Sequence, residues 1–323
     1  MIGPRLLIRT PGRLHFGLLG WGPNATRQFG GFGLMIDKPA IALTAELTAQ
    51  PVVEGLLTAR AERILGMVAD RFAAQNRPVP PMSLRIMEAP PEHVGLGVGT
   101  QLSLAIAVAM MRLGGSSMSP VEDLARLTGR GHRSGIGLHG FERGGFIVDG
   151  GRKSGGEIPP LVVRLDFPED WSILVVQPPE GHGLHGQDEV RAFAEIPPIS
   201  QRTTERLCRL LLLGILPSIP ERDLAGFGAT LEELQSLVGA SFAPAQGGLY
   251  SSPRGVDIIR ELHHAGFVGC GQSSWGPTLY GFSDRPRAEV AVQAENVRRR
   301  LALEPAAVIV TGASNRGASI QRL

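Results

Sequence analysis

A chain of 323 residues has room for one large domain or two packed ones. Its 43% hydrophobic and 19% charged content is ordinary for a globular protein, and a net charge of +2 offers no broad footprint for nucleic acid. Two cysteines, Cys208 and Cys270, stand far apart without CxxC spacing, which argues against a disulfide framework or cysteine zinc site and fits a reducing compartment.

In chain order, the opening MIGPRLLIRTPGR lacks the apolar stretch of a secretion signal, and RLLIRT (5–10) reads as a strand that stops at Pro11-Gly12. FGGFGLMIDKPAIALTAEL (29–47) has the alternation of glycine-flanked strands. TARAERILGMVADRFAAQ (58–75) spaces Ile64, Leu65, Val68 and Phe72 for an amphipathic helix. MSLRIMEAP (82–90) is a strand leading into GLGVGTQLSLAIAVAMM (95–111), a glycine loop that runs into an apolar helix. Ser119 through Glu122 has capping-box spacing and opens a helix to about Leu127. GGFIVDGG (144–151) and LVVRLDF (161–167) read as buried strands, and Pro168-Glu169-Asp170 is the best internal boundary.

Beyond it come a strand in WSILVVQPP (171–179), helices near 202–214, 220–238 and 254–265, a strand at 278–282, a helix at 286–301 and a strand at 307–311. That alternation predicts an α+β second half with an antiparallel sheet. The apolar run LLLLGIL (210–216) is far too short to span a membrane, so a cytoplasmic protein without membrane or nucleic-acid partners is expected.

Gly95, Gly97 and Gly99, followed by Thr100 and Gln101, suggest a phosphate seated on the first amides of a helix. The loop is neither GxxxxGK[ST] nor the dinucleotide GxGxxG. Three more stretches share its character: PGRLHFGLLG (11–20), GRGHRSGIGLHGFERGGFIVDGG (129–151) and GCGQSSWGPTLYGF (269–282). Together, and in this order, they resemble the superfamily of small-molecule kinases that includes galactokinase, homoserine kinase and mevalonate kinase (the GHMP kinases). The resemblance spans nearly the whole chain. It implies an α+β, GHMP kinase-like two-domain fold, with a ribosomal-protein-like N-terminal domain over 1–167 and a ferredoxin-like C-terminal α+β domain over 168–323.

Those kinases carry an SGxD-type segment whose aspartate serves the acceptor hydroxyl. The matching stretch here is Ser134-Gly135-Ile136-Gly137, and glycine cannot accept a proton. RLHFGLLG, HVGLGVGTQLSLA and RSGIGLHGFERGGFIVDGGR closely resemble the beta-ribofuranosylaminobenzene 5'-phosphate synthase family. That resemblance implies transfer of a phosphoribosyl group from phosphoribosyl pyrophosphate to 4-aminobenzoate (or 4-hydroxybenzoate), with release of CO2 and pyrophosphate. It also implies Mg2+, a place in tetrahydromethanopterin biosynthesis, and a homodimer. An ATP-dependent kinase of the same fold and a non-catalytic ligand-binding protein are the competing readings.

The chemistry asks for cations on the leaving pyrophosphate, a seat for the aromatic carboxylate and exclusion of water. Arg13, His15, Arg133 and Glu142 are the catalytic candidates, with Arg130 and His132 as further cationic groups. Gly95, Gly97, Gly99, Thr100, Gln101, Ser134, Gln272, Ser273 and Ser274 are candidates for substrate and phosphate binding. Asp149 is the candidate Mg2+ ligand, Asp37 is weaker, and Trp275 is a candidate stacking partner. His182, His185, Asp188 and Glu189 lack metal-site spacing and read as a solvated loop opening a helix.

Overall fold

The computed structural model describes residues 4–116, 120–153, 158–180, 183 and 186–323, without the side chains of 186–190. Ser119 and the group formed by His182, His185, Asp188 and Glu189 lie outside the described residues or side chains.

The chain opens with two long strands, β1 (Arg5–Gly20) and β2 (Phe29–Leu47), which pair antiparallel along most of their length. β1 does not stop at Pro11-Gly12 as its sequence suggests. The register shifts between Thr10 and Gly12, so the missing N–H of Pro11 falls at an irregularity and the strand runs on to Gly20. β3 (Val53–Gly55), α1 (Thr58–Ala74) and β4 (Met82–Glu88) follow, with β3 parallel to β4. The helical spacing predicted for α1 is met, with Ala61, Ile64, Val68 and Phe72 buried. α2 (Val98–Leu113) is buried nearly all round, and its alanines and Ser103 let it pass close beneath the sheet.

α3 (Val121–Thr128) leads to α4 (Ile136–Arg143), a helix that the sequence does not suggest among so many glycines. Its glycines serve packing: a Cβ at Gly140 would strike Met35 Sδ on β2. β5 (Phe146–Asp149) pairs with β2 and with β6 (Leu161–Leu165).

The second half holds β7 (Ser172–Val176), α5 (Gly186–Glu195), α6 (Gln201–Leu210), α7 (Leu216–Glu221) and α8 (Leu224–Gln246). α8 extends well past the expected end at 238, and Asp223 caps its start by accepting from Gly226 N at 2.9 Å. α9 (Gly255–His264), β8 (Val268–Gln272), β9 (Leu279–Ser283), α10 (Arg287–Arg300), β10 (Val308–Thr311) and β11 (Ser319–Arg322) complete the chain. β8 occupies what reads as the start of a glycine-rich turn, because its pairing with β9 buries it.

Among the described residues two sheets form. One is seven-stranded and mixed, ordered β11-β1-β2-β4-β3 with β5 and β6 branching from β2. The other is four-stranded and antiparallel, ordered β10-β7-β9-β8, as the second half predicts. The last strand, β11, returns to pair with β1. An aromatic cluster joins the sheets: Phe16 of β1 meets Tyr280 and Phe282 of β9 at 5.2 and 6.3 Å, and Phe282 also meets Phe167 and Phe227 at 5.7 and 5.2 Å.

Phe282→Ala removes a fully buried ring from this junction without touching a polar contact, and should cost about 3–5 kcal/mol of stability. Urea unfolding followed by fluorescence measures it.

Candidate active site

Three of the four glycine-rich segments, 11–20, 95–101 and 269–282, meet at one place through backbone contacts. Arg13 N donates to Leu96 O at 3.1 Å, and Ser274 N donates to His15 O at 2.8 Å. Ser273 Oγ accepts from His15 N at 3.0 Å and donates to Gly95 O at 2.8 Å. Gly95, at φ 90, and Gly276 touch backbone to backbone, so a Cβ on either would strike the other segment. Gly97, at φ 76, is the N-cap of α2.

Two adjoining cavities open around this knot. One, of about 660 Å³, is lined by Gly95–Thr100 at the start of α2 and by Arg13, Arg60, Arg63, Arg130 and Arg133. Glu92 is the one carboxylate on that wall among the described residues, and it pairs with Arg60. Burial, and the nearby Arg60 charge, push the Arg130 pKa down, as expected where cations crowd a site built for an anion. The other cavity, of about 260 Å³, is walled by Phe193, Val238, Phe242, Leu249 and Trp275 on one side. His15, His132, Arg133 and Ser134 line its other side. Arg13, Thr100, Arg130, Arg133, Ser274 and Trp275 belong to both cavities, and the Arg133 guanidinium lies 5.7 Å from the centre of the Phe193 ring.

Several candidates take other places. Asp149 is fully buried, and its oxygens accept from Gly31 N (3.1 Å), Gly151 N (2.9 Å), Gly135 N (2.8 Å) and Ser134 Oγ (3.2 Å). Burial raises its pKa while these four donors oppose the rise. With both oxygens so engaged it braces the loop before α4 and is no open ligand for Mg2+. Glu142 lies outside both cavities and pairs with Arg143 at 2.9 Å, because the turn of α4 points it outward. Asp37 is exposed and lines neither cavity.

Gln101 is buried and donates to Gly137 O at 2.8 Å, tying α2 to α4 rather than facing a ligand. Ser273 is the fully buried strut described above. Gln272 lines the aromatic cavity, but its amide is held by Ser251, Gln246 and the Ser274 carbonyl.

His15 is not a cation. Burial first, and then the Arg13 charge, lower its pKa from the usual 6.5 to about 3. A Cβ at Gly137 would lie 3.1 Å from Thr100 Cγ2 and 3.6 Å from Arg13 Nη1.

Arg60, Arg63, Glu92, Phe193, Val238, Phe242 and Leu249 also line the cavities, although no motif in the sequence marks them. Arg60 and Arg63 sit three residues apart at the start of α1, the one sequence signal that marks a shared cationic face.

The GHMP kinases N terminal domain family matches residues 60–145, and the GHMP kinases C terminal family matches 215–302. Beta-ribofuranosylphenol 5'-phosphate synthase of Methanothermobacter thermautotrophicus is 33% identical, over 97% of this chain and 98% of the relative. The chain belongs to that family. The Methanocaldococcus jannaschii member is 32% identical over 87% of this chain and 90% of its own length. Mevalonate diphosphate decarboxylase from Staphylococcus aureus shares the family's fold, with a TM-score of 0.65 at 14% identity, covering 99% of this chain and 98% of that one.

Between pH 6.5 and about 3 the unfolded chain binds a proton on His15 that the folded protein refuses. Stability should therefore fall as pH drops through that window, by up to about 1.4 kcal/mol per pH unit. Urea midpoints across the window, compared with His15→Gln, should show the flatter slope in the variant.

Proposed function

We propose that this enzyme, whose family makes a ribofuranosyl phosphate, transfers the phosphoribosyl group of phosphoribosyl pyrophosphate to 4-hydroxybenzoate. CO2 and pyrophosphate leave, and a C-riboside 5'-phosphate remains, as a step of tetrahydromethanopterin biosynthesis. The relatives are named for a ribofuranosylphenol, which 4-hydroxybenzoate gives and 4-aminobenzoate does not. The observation that carries the reading is the meeting of an arginine-lined cavity with an aromatic one across Arg13, Arg130 and Arg133.

The bond from ribose C1 to the pyrophosphate oxygen breaks, and its electron pair leaves with the pyrophosphate. Arg13, Arg60, Arg130 and Arg133, with the opening turn of α2, offset that charge. The ring carbon bearing the carboxylate attacks C1 and forms the new C–C bond. The bond to the carboxylate then breaks, CO2 departs, and the returning pair restores the aromatic ring. Phe193, Phe242 and Trp275 keep water from the ribose cation. In sum no proton is gained or lost, so the reaction has no need of the carboxylate base that Gly137 replaces.

Among the described residues that line the two cavities, none fits as a protein ligand for Mg2+. Asp149 is saturated, Glu142 lies elsewhere, and Glu92 is paired with Arg60. In this reading arginines carry the leaving-group charge.

The reading is tested by incubating the protein with phosphoribosyl pyrophosphate and carboxyl-labelled 4-hydroxybenzoate and collecting labelled CO2. Arg133→Ala should slow release by about 30-fold to several thousand-fold, the kinetic equivalent of ~2–5 kcal/mol, with circular dichroism unchanged. Arg133→Lys should recover part of the loss, since an ammonium cannot reproduce the fork. An alanine variant as fast as the parent would refute this placement of the site.

Gly137→Asp sets a carboxylate beside Arg13 and should suppress CO2 release at least tenfold without creating phosphoryl transfer from ATP to homoserine or mevalonate. Paired assays of CO2 and ADP measure both effects.

A further inference from the structure

His15 lines the aromatic cavity and not the arginine-lined one. Its Nε2 lies 3.2 Å from Ser134 Oγ, which lies 3.2 Å from both Asp149 Oδ2 and Ile136 N. The other partners of Asp149 are three backbone N–H groups, which can only donate, so the carboxylate acts as an acceptor. The single Ser134 proton therefore goes to Asp149, and Ser134 Oγ receives from Ile136 N–H and from His15 Nε2–H. In a neutral ring that leaves Nδ1 with its lone pair. Nδ1 is buried and has no hydrogen-bond partner among the described residues.

A buried acceptor without a partner is unfavourable in the empty protein and becomes useful once a ligand brings a donor. The glutamine amides on the same wall are already engaged. Gln235 donates to Phe16 O and accepts from Gln272 N, while Gln246 is held by the Gly248 and Leu249 carbonyls. On the ligand side, carboxylate, phosphate and pyrophosphate oxygens are acceptors and do not match Nδ1. The para hydroxyl of the aromatic acceptor does. Ribose hydroxyls are donors too, but His15 shares its cavity with Phe193, Val238, Phe242, Leu249 and Trp275, which suit a flat ring.

We infer that His15 determines acceptor specificity: its Nδ1 accepts a hydrogen bond from the para O–H of the benzoate ring, an N–H of a para amine being the alternative donor of the same kind. This rests on the transferase reading above. Polarising the O–H toward oxygen pushes electron density to the carbon opposite, which is the carbon that attacks C1. No proton leaves the ring, so His15 selects and polarises the acceptor without being protonated.

Asparagine and glutamine separate the two ring nitrogens. The His15→Gln amide reaches the Nε2 position and keeps the Ser134 contact, but it places no acceptor at Nδ1. The His15→Asn amide oxygen stands near Nδ1. Titration calorimetry with 4-hydroxybenzoate and with 4-fluorobenzoate, which lacks the donor, should show the parent preferring the hydroxyl compound about 10- to 100-fold. His15→Gln should lose that preference and raise KM for the benzoate but not for phosphoribosyl pyrophosphate. His15→Asn should keep most of the preference.

Equal preference in the parent and His15→Gln would overturn the assignment. So would a rise confined to KM for the ribose donor, which would give Nδ1 to a ribose hydroxyl. Equal failure of both variants would reduce His15 to a structural role. A parent that binds neither benzoate overturns both this assignment and the transferase reading. A parent that discriminates between the benzoates yet releases no CO2 sinks the transferase reading alone.

Discussion

One serine hydroxyl holds the site together. Ser273 Oγ, fully buried, accepts from the His15 amide of β1 and donates to the Gly95 carbonyl ahead of α2. Three segments separated by up to 258 positions are thereby fixed through backbone atoms, which leaves the side chains of Arg13, Thr100 and Ser274 to line the cavities. The contact works only because Gly95 and Gly276 carry no Cβ; any side chain at either position would wedge the two loops apart.

Asp149 plays the matching part on the other side of His15. Burying a carboxylate is costly unless its lone pairs are met, and three amide N–H groups with one hydroxyl meet them here. The result is a fixed loop before α4, a serine with its proton committed, and a histidine held in one tautomer. A carboxylate that looks like a ligand in the sequence instead orders residues that line the aromatic cavity.

The family keeps the kinase fold. At Gly137 an added Cβ would press on Thr100 Cγ2 at 3.1 Å and lie 3.6 Å from Arg13 Nη1, and the Gly137 carbonyl accepts from Gln101. The scaffold positions elements, while chemistry depends on a few side chains at their ends.

Sequence alone determines the strand and helix pattern wherever apolar periodicity is strong, as in α1, β7 and β9, and it marks the glycine segments that converge. It also marks Arg13 and Arg133, which sit inside the motifs and line both cavities. It misleads where local signals are overridden: Pro11 reads as a strand end yet falls at a register shift, and α4 forms among glycines because β2 lies too close for side chains. Asp149 and Glu142 look alike in sequence, since a carboxylate beside glycines carries no sign of whether its partners are amides or solvent. Only the tertiary structure brings Arg60 from α1 and Phe242 from α8 to the same cleft and leaves Glu142 outside it. The physical reason is that cavity walls are made by contacts between distant elements, and no periodicity within one element encodes them.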